Sequence, residues 1–127
     1  MPIQWEFVDK SLIVVVATGN VTFNEFKAYI EEVTLAGGKG LAKLVNLSYA
    51  NLDLRSADVK ALATAVLARA ARNDSALGPV ALVVDAESSL EFSLLFDDKT
   101  SGANRPLTIF GERQMALSWL IGTRREA

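Results

Sequence analysis

The chain has 127 residues, 50% of them hydrophobic, and its 13 Lys and Arg nearly balance 15 Asp and Glu to a formal net charge of −2. This length and apolar supply suit one ordered domain with a real core, and the near-neutral, interspersed charge gives no reason to expect nucleic acid as a partner. There is no Cys and no His, which excludes disulfides, thiolate metal sites and every Ser-His or Cys-His mechanism.

The opening residues carry Glu6 and Asp9 and lack the basic and apolar regions of a secretory leader, so a cytoplasmic protein is expected. The longest apolar runs, 12–17 and 79–84, are strand-length, and no stable membrane insertion is expected. Residues 3–8 and 12–18 predict two strands joined at Asp9-Lys10 as an antiparallel hairpin, the second ending at Gly19-Asn20. Thr22 and Glu25 form a capping-box pattern, and Phe26, Tyr29, Ile30 and Val33 recur at helical spacing up to Gly37-Gly38. Residues 41–47 predict a third strand, followed by a loop over 48–55.

Ser56 is the expected N-cap of the longest helix, with Asp58 in its first turn. Val59, Leu62, Ala63, Val66, Leu67 and Ala70 give that helix an unbroken apolar stripe. Residues 80–84 have no polar side chain, as a strand covered on both faces requires. Asp85 is placed to cap a helix over 87–97; a polar loop over 99–105, a short strand over 107–110 and a helix over 112–120 complete the chain. The expected architecture is α/β: a mixed, largely parallel sheet with an N-terminal hairpin and about four helices. Residues 1–122 form one domain and 123–127 a frayed tail.

Several stretches together carry a resemblance. They are Gly19-Asn20-Val21-Thr22 leading to Phe26, Lys43-Leu44-Val45-Asn46-Leu47-Ser48 with its loop, and the Ser56-Ala57-Asp58 helix start. Gly78-Pro79-Val80-Ala81-Leu82-Val83-Val84-Asp85, Arg105-Pro106-Leu107-Thr108-Ile109-Phe110 and Ala116-Leu117-Ser118-Trp119-Leu120 complete the set. In element order the chain resembles the SpoIIAA-like group of STAS-like domains, small bacterial proteins also compared with Sec14-type lipid-binding domains. The resemblance implies a STAS-like fold, a role in protein–protein regulation or ligand sensing, and no enzymatic activity. In the anti-sigma factor antagonists the strand like 43–47 ends Asp-Leu-Ser, and a later Asp-Ser-Ser-Gly turn holds a phosphorylated serine. This chain has Asn46-Leu47-Ser48 and Asp53-Leu54-Arg55-Ser56. Leu54 and Arg55 stand where the two serines would be, so that phosphoswitch is not expected.

The C-terminal ends of parallel strands share one rim, where ligands of open α/β sheets collect. That rim gathers Asn20, Asn46, Ser48, Tyr49, Asp53, Asp85, Glu87, Ser88, Ser89 and Glu112. The expected interaction surface is Asn46, Ser48, Tyr49, Asn51, Asp53, Arg55 and Ser56, with Tyr49 as an aromatic anchor that has no capping task. The opposite rim collects Lys39, Arg69, Arg72, Lys99 and Arg105, where helix C-termini attract cations. Leu90, Phe92, Leu94, Leu95 and Phe96 exceed what one helix face buries. They suggest a deeply buried helix, a homodimer contact, or a lid over a small apolar ligand. The leading expectation is a non-catalytic regulatory or protein-interaction module that binds another protein or itself, without cofactor or metal. A binder of a small apolar ligand or lipid is the alternative, and a cavity separates the two.

Overall fold

The computed structural model describes residues 3–38, 40–71, 78–85, 87–100 and 106–126, with the side chains of 69–71, 87–89 and 124–126 left aside. The expected features at Lys39, Arg69, Arg72, Glu87, Ser88, Ser89 and 101–105 lie outside these residues or side chains. The described residues form β1 (Ile3–Asp9), β2 (Leu12–Thr22), α1 (Phe23–Leu35), β3 (Ala42–Asp53) and α2 (Ser56–Ala71). They continue with β4 (Val80–Val83), α3 (Glu87–Lys99), β5 (Leu107–Phe110) and α4 (Arg113–Glu126). The five strands form one sheet in the order β1-β2-β3-β4-β5. β1 pairs antiparallel with β2, and every later pairing is parallel.

Because β2, β3, β4 and β5 advance across the sheet in one direction, like-handed crossovers place α1, α2 and α3 on the same face. The main core lies there: Ile13, Val15, Val45, Leu47 and Leu82 meet Phe26, Val33, Leu62, Val66, Phe92 and Phe96. α4 follows the edge strand and covers the other face, burying Ala116 and Leu120 against Leu44, Ala81 and Val83. Both faces of β4 are thereby covered, which accounts for its wholly apolar sequence.

Local chemistry sets the helix ends. At α1, Thr22 N–H donates to Glu25 Oε1 at 2.9 Å and Glu25 N–H returns a bond to Thr22 Oγ1 at 3.4 Å, completing the expected capping box. The helix stops in a Schellman turn: Gly37 has φ +86°, its N–H bonds Thr34 O, and Gly38 N–H bonds Val33 O. At α2 the cap differs from expectation. Arg55 C=O accepts the first helical bond from Val59 N–H, and Arg55 N–H donates to Asp58 Oδ2 at 2.9 Å. Arg55 is the N-cap and Ser56 the first helical residue, because the Asp58 carboxylate is the stronger acceptor for the cap N–H.

Three boundaries also move. β2 does not end at Gly19-Asn20 but passes through Gly19, at φ +69°, and runs to Thr22. β3 does not end at 47 but runs to Asp53, so the expected loop over 48–55 is mostly strand. Each strand supplies the other's partners, and that pairing outweighs the local turn signals. α4 runs to Glu126, so 123–126 continue a helix rather than a separate tail. α3 buries Phe92, Ser93 and Phe96 while Leu90 and Leu94 stay exposed. Its apolar excess therefore divides between core and surface.

Candidate functional site

Two features lie near the residues expected to function: the far end of the β2–β3 pair, and a cavity beneath the helices. β4 reaches β3 only as far as Asn46, which pairs with Val83. Beyond that point β2 and β3 continue as a two-stranded ribbon, with Thr18, Asn20 and Thr22 beside Tyr49, Asn51 and Asp53.

The register slips between Val16 and Thr18, so that one β2 residue, Ala17, spans two β3 residues, Leu47 and Ser48. This bulge changes the phase of β3. Before it Val45 and Leu47 face the main core; after it Ala50 and Leu52 do. Asn46, 7% exposed, stabilises the bulge by accepting hydrogen bonds from both the backbone N–H and the hydroxyl of Ser48. Asn46 is thus buried at the bulge, and Ser48 is half-buried beside it.

The rest of the expected surface is exposed. Tyr49 is 68% accessible, and Asn51, Asp53, Arg55 and Ser56 are also exposed. Asn51 Nδ2 donates to Asn20 Oδ1 at 2.9 Å across the ribbon, fixing both side chains. Tyr49, Asn51 and Asp53 occur at alternate positions, on the strand face opposite the buried Ala50 and Leu52. Arg55 and Ser56 belong to the start of α2 instead. The strand order never reverses, so the sheet lacks the switch-point crevice in which α/β ligands ordinarily sit.

A partly open cavity lies elsewhere. α1 rests on β1 and β2, whereas α3 rests on β3, β5 and α2. Between these two helices and the sheet is a cavity of about 100 Å³. Val45, Val80 and Leu82 form its floor, and Tyr29, Val33 and Phe96 are among its walls. Phe26, Phe92 and Phe96 make a continuous aromatic row, with ring centroids 5.2 and 5.5 Å apart, a spacing typical of favourable ring pairs.

One end of the cavity differs. Lys43 and Thr34 line it beside Gly78, where β3 and β4 begin and α1 ends. Lys43 Nζ donates to Gly38 O at 2.8 Å and Leu41 O at 3.1 Å, tying down the chain between α1 and β3. Gly78 is obligatory there, because a Cβ would lie 2.2 Å from Leu41 O. Sequence reading reached one wall of this site, Phe92 and Phe96 of the apolar segment over 90–96, but not Tyr29, Thr34, Lys43 or Gly78, since a cavity is a remainder between elements. One signal was available: Lys43 occupies the same inward phase as Val45 and Leu47.

Sheet order, the opening hairpin and the single-sided layer of crossover helices define a SpoIIAA-like fold. The same fold occurs in the crystal structure of an uncharacterized protein of the DUF3478 family from Shewanella loihica PV-4. The two chains are 19% identical, matched over 93% of this chain and 91% of that one, with a TM-score of 0.56. No family model matches the sequence, and no curated protein matches it. No helix among the described residues is long and apolar enough to cross a membrane.

Proposed function

We propose that this protein is a non-catalytic binding domain whose cavity between α1, α3 and the sheet takes a small, largely apolar ligand. The cavity carries this reading: it is a partly open space between packed elements, lined mainly by aliphatic and aromatic side chains, and about 100 Å³ in volume. An apolar engineered cavity of about 150 Å³ binds benzene, so this smaller but partly open space suits a short alkyl chain or a ring that is only partly buried. Polar groups cluster at one end, the usual arrangement by which an apolar pocket orients its occupant. Thermal melts of the full chain with toluene and with 1-hexanol test it. A ligand at a hundredfold excess over its Kd adds about 2.7 kcal/mol, a rise of roughly 10 °C for a domain of this size. Val66→Phe, which fills the cavity from α2, should abolish the rise. No shift with either probe in the wild-type protein would refute the reading.

Tyr49 favours a second reading, in which the β2–β3 ribbon recognises another protein. Its ring is 68% exposed on an ordered strand, next to the bonded Asn20–Asn51 pair, and exposed aromatics in polar surroundings anchor interfaces. Tyr49→Ala combined with Arg55→Glu should abolish co-purification of a native partner while changing stability by less than about 1 kcal/mol. Undiminished capture of that partner by the double variant would rule the ribbon out.

A further inference from the structure

The sheet is open at β1. Among the described residues β1 pairs with β2 alone, and an edge strand offers a row of unpaired N–H and C=O groups to a further strand. Ile3 and Trp5 pack towards the main core. Phe7, on the same strand face, is 46% exposed, its ring in edge-to-face contact with Trp5 at 5.5 Å. Gln4 and Glu6 alternate onto the other face and are exposed. An open groove of about 550 Å³ borders this edge. Its lining includes Ile3, Trp5 and Glu32 on the α1 side and Gln4 and Glu6 on the other, so it reaches round the strand. A strand laid along β1 fills such a groove from both sides; a small molecule resting on one face of the sheet does not.

Charge and side-chain pairing select which strand. A second copy of β1, related by a two-fold axis normal to the sheet, runs antiparallel, the pairing that β1 already makes with β2. With the axis at Trp5, that ring meets the partner's Trp5, Ile3 meets the partner's Phe7, and Gln4 meets the partner's Glu6. Each carboxylate then faces an amide donor, and the exposed Phe7 ring is covered. With the axis at Glu6, two carboxylates lie directly opposite each other, which is destabilising. With the axis at Phe7, Trp5 meets the partner's Asp9, and the pairing runs into the irregularity between Phe7 and Asp9. Of these registers, the one centred on Trp5 alone suits both the apolar and the charged positions.

We infer that β1 is a homodimerisation edge, at which two copies of this chain join in the register centred on Trp5. Five strands from each copy then make one continuous sheet. α1 and its counterpart lie on the same side of that sheet, flanking the joined Ile3, Trp5 and Phe7 side chains. The dimer does not depend on any occupant of the cavity.

Sedimentation equilibrium of the full chain, from micromolar to sub-millimolar concentration and at low salt, tests this. The mass should rise with concentration to twice that of the chain. Gln4→Lys sets a lysine against the partner's Glu6 on each side of the axis. It should lower the dissociation constant about tenfold, the effect of two opposite-charge cross-strand pairs, and Gln4→Glu should raise it by a similar factor. Adding Glu6→Lys to Gln4→Lys sets lysine against lysine and should reverse the gain. Both positions are exposed, so these variants leave the core intact. A monomer at every concentration would overturn the inference and leave the edge to a strand of another protein. A dimer indifferent to both Gln4 variants would overturn it too, because the contact would lie elsewhere. So would a dimer that tightens further in the double variant, because association would then follow net charge alone.

Discussion

Ser93 is fully buried on α3, and its Oγ has no hydrogen-bond partner among the described residues. Replacing it with alanine removes the hydroxyl and leaves the backbone and Cβ in place. An unsatisfied buried polar group costs about 1–3 kcal/mol, and this cost disappears. Alanine also exceeds serine in helix propensity by a few tenths of a kcal/mol. Against these stands the void left by one oxygen, about 10 Å³, which at about 24 cal/mol per Å³ costs roughly 0.2 kcal/mol. Ser93→Ala should therefore stabilise the protein by about 1–2 kcal/mol, moving the thermal midpoint up by roughly 4–8 °C. Urea denaturation at matched concentrations should show a higher midpoint with an unchanged m-value. A lower midpoint would refute the reasoning, because it would mean that the hydroxyl has an acceptor, such as a backbone carbonyl one turn earlier in α3. Ser93→Thr is the converse test: it keeps the hydroxyl and adds a methyl group to a filled site, and should destabilise by about 1–3 kcal/mol.

Leu62→Ala should cost about 2–4 kcal/mol in urea denaturation, since Leu62 is 1% exposed in the centre of the α2 stripe; a loss under about 0.5 kcal/mol would take that face out of the core. Gly78→Ala should cost about 3 kcal/mol or prevent folding, because its Cβ would drive Leu41 O away from the start of β4; a thermal midpoint equal to wild type would refute that contact. Thr22→Ala should cost about 1 kcal/mol by removing the hydroxyl that accepts from Glu25 N–H, whereas Thr22→Ser should retain most of the stability.

The Gly37-Gly38 stop, the Thr22–Glu25 box and the all-apolar β4 were legible because each depends on a few neighbouring residues. Gly37 must adopt positive φ, and a Schellman turn requires little beyond its own backbone bonds. The end of β3 was not legible in the same way. A bulge at Leu47-Ser48 inverts the side-chain alternation, so the apolar positions 45, 47, 50 and 52 fit no single period of two. The residues after it therefore looked like a loop. Asn46 illustrates the same failure for the candidate site: a polar residue at a strand end suggests a surface, yet here its carbonyl oxygen serves the bulge.

Composition and pattern by themselves determined the class of this protein: an α/β domain with one opening hairpin, crossover helices, and no histidine or cysteine chemistry. These are properties of local periodicity and of residue supply, and no tertiary contact is needed to state them. Which faces the helices cover, where β2 and β3 part from the rest of the sheet, and where space remains were decided only by the folded structure. The cavity is the clearest case. It exists because α1 sits over β1 and β2 while α3 sits over β3 and β5, and the gap between two packed helices depends on distances that no single segment encodes. Lys43 acquires its place at the end of that gap for the same reason: its inward phase is written in the strand, but what it faces is set by elements far away in the chain.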